Sequence, residues 1–236
     1  MNNTITIHTQ DQYPITATLF EPENANGKLL LVNSATGVKQ QTYYSFAQHF
    51  ADLGFVVITY DYRGVALSKP DQLKGFKASM RTWGNTDYKA VTDFIEEHYP
   101  NHRKFLIGHS VGALILGMNK GSEIFEKFCF VATQNTYFGH LSPRIKMLGL
   151  LGFGLYQPIL TRVKGYFKTY FVNLGESLPK GVSDDWRTLI MNRKSVNRLL
   201  EKTENFSKNL HQEVLYLNMQ DDDWITETGM KLLMNE

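Results

Sequence analysis

The sequence predicts an α/β domain: a mostly parallel sheet entered through an antiparallel hairpin, with a helical insertion late in the chain. Three observations predict it. Short unbroken apolar runs recur, as strands buried on both faces require. Amphipathic helical repeats separate them. A Gly-x-Ser-x-Gly turn lies where one of the runs meets a helix. A chain of 236 residues suits one such domain with room for an insertion.

Taken in order, Thr4-Ile5-Thr6-Ile7-His8 and Ile15-Thr16-Ala17-Thr18-Leu19 alternate polar and apolar around Asp11-Gln12, which reads as a hairpin. The rhythm then changes. Leu29–Val32, Phe55–Ile58, Phe105–Ile107, Phe128–Val131 and Val214–Leu217 are continuous apolar runs, expected as buried parallel strands. Tyr43, Phe46, Ala47 and Phe50 share one helical face, as do Val91, Phe94, Ile95 and His98. Strands and helices alternating at this pace imply βαβ crossovers. Between about Asn135 and Leu210 no buried-strand pattern appears. That stretch, with its Tyr166-Phe167 and Tyr170-Phe171 pairs, reads as a helical cap over the sheet. The expected organisation is therefore core (1–134), cap (135–210) and the rest of the core (211–236).

A net charge of +2 excludes an argument for nucleic acid or another polyanion. From Leu141 to Lys180, however, six cations (Arg144, Lys146, Arg162, Lys164, Lys168, Lys180) face Glu176 alone. The pattern is that of a solvated basic face or of a cap that touches anionic lipid peripherally. No apolar stretch reaches the length of a transmembrane segment: the longest, Met147 to Leu160, falls short of the ~18 residues required. Met1-Asn2-Asn3-Thr4 shows no basic region followed by an apolar one, so a cytoplasmic location is expected. Cys129, the single cysteine, is expected as a buried thiol.

Gly108-His109-Ser110-Val111-Gly112 carries the chemistry. Strand, tight turn and helix together raise a serine hydroxyl above the carboxyl end of a strand. The positions two before and two after the serine must be small, which glycine satisfies. The Val111 N–H is aimed at a developing oxyanion, and a second donor is expected from Asn33-Ser34-Ala35-Thr36-Gly37-Val38, with Thr36 and Val38 both open. Asp221-Asp222-Asp223 follows the last apolar run and offers the acid, Asp222 first, with Asp223 and Asp221 behind it. Three adjacent carboxylates also suggest a metal, but no other ligand cluster accompanies them. The base is the gap. The histidines are His8, His49, His98, His102, His109, His140 and His211, and none follows Asp223. His109 lies within the turn itself, its side chain expected to point away from that of Ser110. His140 follows a strand end on the correct side of a parallel sheet. Both are candidates for touching substrate rather than for activating Ser110.

On these segments the chain resembles the α/β-hydrolase superfamily, and within it a bacterial group akin to the serine-aminopeptidase and monoglyceride-lipase branch. Further matching segments are Ala35-Thr36-Gly37-Val38, Phe46-Ala47, Asp61-Tyr62-Arg63-Gly64, Trp83-Gly84 with Asp87, Gly165-Tyr166-Phe167 and Leu178-Pro179. The resemblance implies Ser110 as nucleophile, Asp222 as acid, and Asp61 and Arg63 as residues that pin a loop. It also implies a further strand and helix with a Gly-His-Phe-like segment carrying the base. The sequence ends at Glu236 before any such segment, so a truncated form lacking the last strand and helix is expected. The implied chemistry is hydrolysis of a carboxylic ester, less readily an amide, on a small molecule with an apolar part, and it requires no cofactor. The competing expectation is an inactive remnant that binds a small apolar ligand.

Overall fold

The computed structural model describes residues 2–169 and 175–234. The alternating opening forms a hairpin: β1 (Asn2–His8) pairs antiparallel with β2 (Pro14–Phe20), Ile7 opposite Ile15, and Gln12 takes a φ of 63° in the turn. The apolar runs form β3 (Lys28–Asn33), β4 (Phe55–Tyr60), β5 (Arg103–His109) and β6 (Lys127–Val131). Two short strands unforeseen in the sequence, β7 (Tyr166–Phe167) and β8 (Leu178–Pro179), make a separate ribbon, and β9 (Glu213–Leu217) returns to the main sheet. That sheet has seven strands in the order β1-β2-β4-β3-β5-β6-β9. From β4 to β9 all pairings are parallel.

The helices are α1 (Tyr44–Asp52), α2 (Met80–Thr82), α3 (Tyr88–His98), α4 (Val111–Leu114), α5 (Pro143–Leu151), α6 (Gln157–Lys164), α7 (Lys180–Met191), α8 (Val196–Leu200) and α9 (Glu227–Met234). Because side chains alternate along a strand, each buried strand feeds two cores. Leu29 and Leu31 join the larger one with Val91 and Ile95 of α3, while Leu30 and Val32 pack on the other face with Ala47 and Ala51 of α1.

Two expectations need correction. β9 is apolar, yet Val214, Leu215 and Leu217 are 41%, 59% and 40% exposed. It is the outermost strand, hydrogen-bonded among the described residues only to β6. An apolar run marks a strand but does not guarantee a neighbour to cover it. Cys129, on the adjoining strand, is half-buried for the same reason, and what burial it has raises its thiol pKa.

Asp61 and Arg63, just past β4, hold loops. The Asp61 carboxylate accepts from the Gln40 N–H (2.8 Å), from Gln40 Nε2 (3.0 Å) and from the Leu67 N–H (3.2 Å). The Arg63 guanidinium bridges Asp87 and Asp11, each at 2.6 Å, and Trp83 Nε1 donates to the Arg63 carbonyl. No helix among the described residues is long and apolar enough to cross a membrane.

Candidate active site

Ser110 sits between β5 and α4 with φ 52° and ψ −116°, a backbone conformation that a non-glycine residue holds only under strain. The strain is imposed on both sides. The Ser110 N–H donates to the Val131 carbonyl (2.9 Å), and Thr133 Oγ1 donates to the Ser110 carbonyl (3.0 Å). A Cβ on Gly108 would lie 2.7 Å from the Ala113 N, and one on Gly112 would strike the Asn33 carbonyl oxygen. The glycine spacing is thus a steric requirement of bringing β5, α4 and the end of β3 together. Buried Asn33 ties the same junction, its Nδ2 donating to the Gly112 carbonyl (3.1 Å) and its Oδ1 accepting from the Tyr60 hydroxyl (2.9 Å).

Ser110 opens into a cavity of about 310 Å³. Ala35, Thr36 and Val38 line one side, and Asp222, Trp224 and Ile225 another. Leu141 and the α7 residues Trp186 and Ile190 complete a largely apolar wall. The volume is at the small end for ligand pockets, enough for a compact acyl or aryl group.

Val111 is the first residue of α4, where a helix leaves its N–H groups without intrahelical partners, and Ser110 precedes it at the pocket. In the loop after β3, Thr36 and Val38 both line the cavity. The Val38 N–H donates to the Ala35 carbonyl (3.1 Å), which closes the turn. The three aspartates part company. Asp222 lines the cavity, its Oδ1 accepting from the Trp224 N–H (2.9 Å). Asp221 is exposed, and Asp223 is exposed and lies 4.0 Å from Arg144.

The two histidine candidates also separate. His140 does not line the cavity. It closes a short turn, Phe138–His140, with its ring against Tyr137 and its carbonyl accepting from Thr226 Oγ1 (3.0 Å). His109 does line it. The His109 ring is held by Tyr43, whose hydroxyl lies 2.8 Å from Nδ1 and also accepts the Ala35 N–H (3.0 Å). Burial pushes the Tyr43 phenol up to about 12, so it keeps its proton. The Tyr43 hydroxyl thus joins the Ala35 N–H and the His109 ring at one oxygen. Burial lowers the His109 pKa, and the Asp222 charge partly offsets this.

Tyr43, Asn33, Thr133, Trp186 and Trp224 were not singled out from the sequence. Tyr43 shows there as part of a helical stripe, and nothing in a linear pattern marks a tryptophan as a pocket wall. The aromatic pair Tyr170-Phe171 lies outside the described residues.

A family model described as "Serine aminopeptidase, S33" matches residues 26–119, from the approach to β3 to just beyond the serine turn. No curated protein matches the sequence. Among solved structures, the chain is similar to an esterase of Pyrococcus furiosus (13% identity, 100% of this chain and 76% of that one, TM-score 0.62). It is similar also to a highly thermostable carboxyl esterase of Bacillus coagulans (12% identity, 92% and 89%, TM-score 0.57). A third is a deformylase of Pseudomonas putida (14% identity, 99% and 88%, TM-score 0.57). The likeness to these structures gives the chain the α/β-hydrolase fold, and the family match covers residues 26–119 of it.

Proposed function

We propose that the chain is built for acyl transfer from a carboxylic ester, with amides as poorer substrates. The observation that carries this reading is the strained Ser110 turn opening into an apolar cavity that also receives Asp222 and the loop after β3. In this reading Ser110 Oγ attacks the carbonyl, and the N–H groups of Val111 and Thr36 hold the oxyanion. Asp222 is the acid of this reading, the carboxylate that would orient an imidazole base and stabilise the charged form it takes on accepting the Ser110 proton. The segment from 135 to 210 acts as a cap, supplying Leu141, Trp186 and Ile190 to the acyl side. The walls favour a substrate with a short apolar acyl or aryl part.

One observation favours a second reading, a pocket that binds an apolar ligand and turns over slowly. A serine hydroxyl without a base is a poor nucleophile. Among the described residues His109 is the histidine that lines the cavity, and its Nδ1 is engaged by Tyr43. Steady-state hydrolysis of p-nitrophenyl esters from acetate to decanoate separates the readings. The first predicts turnover that depends on Ser110 and peaks at short to medium chains. Absence of turnover with ligand binding retained supports the second, and equal rates across the series contradict the apolar acyl site.

A further inference from the structure

The rod from Pro143 to Lys164 presents the wrong face to water. α5, the wide π turn Gly152–Tyr156 and α6 follow one another without a gap. Ile145, Gly149, Phe153, Gln157 and Thr161 form its buried row. Its outer row is aliphatic: Leu151, Leu155, Ile159 and Val163 are 55%, 59%, 56% and 70% exposed, and Met147 and Leu148 extend it. A helix in water ordinarily does the reverse. Both rows step by four residues. At about 100° per residue, each such step drifts by about 40° around an α-helix, and the wider turn at Gly152–Tyr156 slows that drift and keeps the rows aligned.

The inner row is locked in place, so the rod is not free to roll. Gln157 Nε2 donates to Ser183 Oγ (3.0 Å) and Asp184 Oδ1 (2.9 Å) on α7. Arg187 Nε donates to the Phe153 carbonyl (2.8 Å), and the Phe153 ring packs 5.1 Å from Trp186.

Charge identifies what covers the outer row. No aspartate or glutamate occurs from Leu141 to Gly175. Arg144 and Lys146 stand exposed in the first turns and Arg162 and Lys164 in the last. Cations at a helix N-terminus oppose the helix dipole, so Arg144 and Lys146 are not there to stabilise α5. Among the described residues Arg144 pairs only with exposed Asp223, at 4.0 Å, and Lys146 lies over the Phe138 ring at 5.6 Å. An aliphatic stripe with basic ends and no acid matches an anionic interface.

We propose that this face docks flat onto an anionic phospholipid bilayer. The aliphatic row enters the acyl boundary, and Arg144, Lys146, Arg162 and Lys164 meet lipid phosphates. Trp186 of α7, packed against the rod, lines the cavity, so docking brings the Ser110 pocket within one helix of the lipid surface. The docking does not depend on turnover at Ser110.

The test is co-sedimentation of the full chain with vesicles of phosphatidylcholine alone or mixed with phosphatidylglycerol, at low and high salt. Binding is expected to be at least about tenfold stronger to the mixed vesicles and to weaken with salt. Leu155→Glu with Ile159→Glu is expected to abolish it while leaving the far-UV spectrum and melting temperature unchanged, since both sites are exposed. Arg162→Gln with Lys164→Gln, which leaves the apolar row intact, is expected to weaken binding by about fivefold per residue. No binding to mixed vesicles, equal binding to both kinds, or undiminished binding by the variants overturns the proposal. So does a dimer that the Glu pair dissociates and that never binds vesicles, because the row would then belong to a second copy of the chain.

Discussion

The Tyr43 hydroxyl lies 2.8 Å from His109 Nδ1 and accepts the Ala35 N–H at 3.0 Å, so a single phenol couples the serine turn to the loop after β3. Tyr43→Phe removes that coupling and strands both partners in a largely buried place. A loss of about 1–2 kcal/mol in stability is expected by urea denaturation. Ester turnover should fall further than stability alone explains, because the loop after β3 is no longer tied to the serine turn. An unchanged rate would separate the Tyr43 link from the chemistry.

Gly112→Ala tests the steric account of the turn. The new methyl meets the Asn33 carbonyl, part of a backbone that cannot move without disturbing β3. Destabilisation of about 1–3 kcal/mol is expected, read as a lower urea midpoint at unchanged slope. Wild-type stability in this variant would show that α4 and β3 have room to separate.

Arg63 bridges buried Asp87 and half-exposed Asp11; burial pushes the Asp87 carboxyl up to about 7, and the Arg63 charge opposes that rise. Arg63→Met leaves Asp87 without its cation, and a cost of about 3–5 kcal/mol is expected. The acid limb reports on Asp11. Arg63 holds the Asp11 carboxyl well below its ordinary 3.8. Its contribution is therefore present above that value and is lost as pH falls through the acid range. Asp11→Asn should flatten the fall of melting temperature below about pH 4, modestly because solvent reaches the pair.

Leu215 on the outermost strand is 59% exposed, beside half-exposed Val214 and Leu217. An apolar outer strand favours pairing between chains. Leu215→Lys is expected to lower light scattering of concentrated protein without lowering its melting temperature.

The strands and the serine turn were legible because their signals are local. A run such as Leu29-Leu30-Leu31-Val32 has to be buried on both faces, and Gly108 and Gly112 are small because their neighbours leave no space. What was not legible depends on contacts made across the fold. Three identical neighbours in Asp221-Asp222-Asp223 carry no mark of which one faces the cavity. The Val38 N–H was lost to a turn whose closure the sequence does not display. His140 stood after the right strand and still turned toward Tyr137. Val214–Leu217 read as buried because apolar runs report on the strand and not on what lies beside it.

Ser110, strained at φ 52° on the edge of the cavity, is expected to react as a nucleophile. The most direct measurement is intact-mass analysis after fluorophosphonate treatment of the wild-type chain and of Ser110→Ala. One covalent adduct is expected on the wild type, mapped to Ser110 and slowed by Tyr43→Phe, and none on the alanine variant. Equal labelling of both proteins, or labelling of neither, would contradict it.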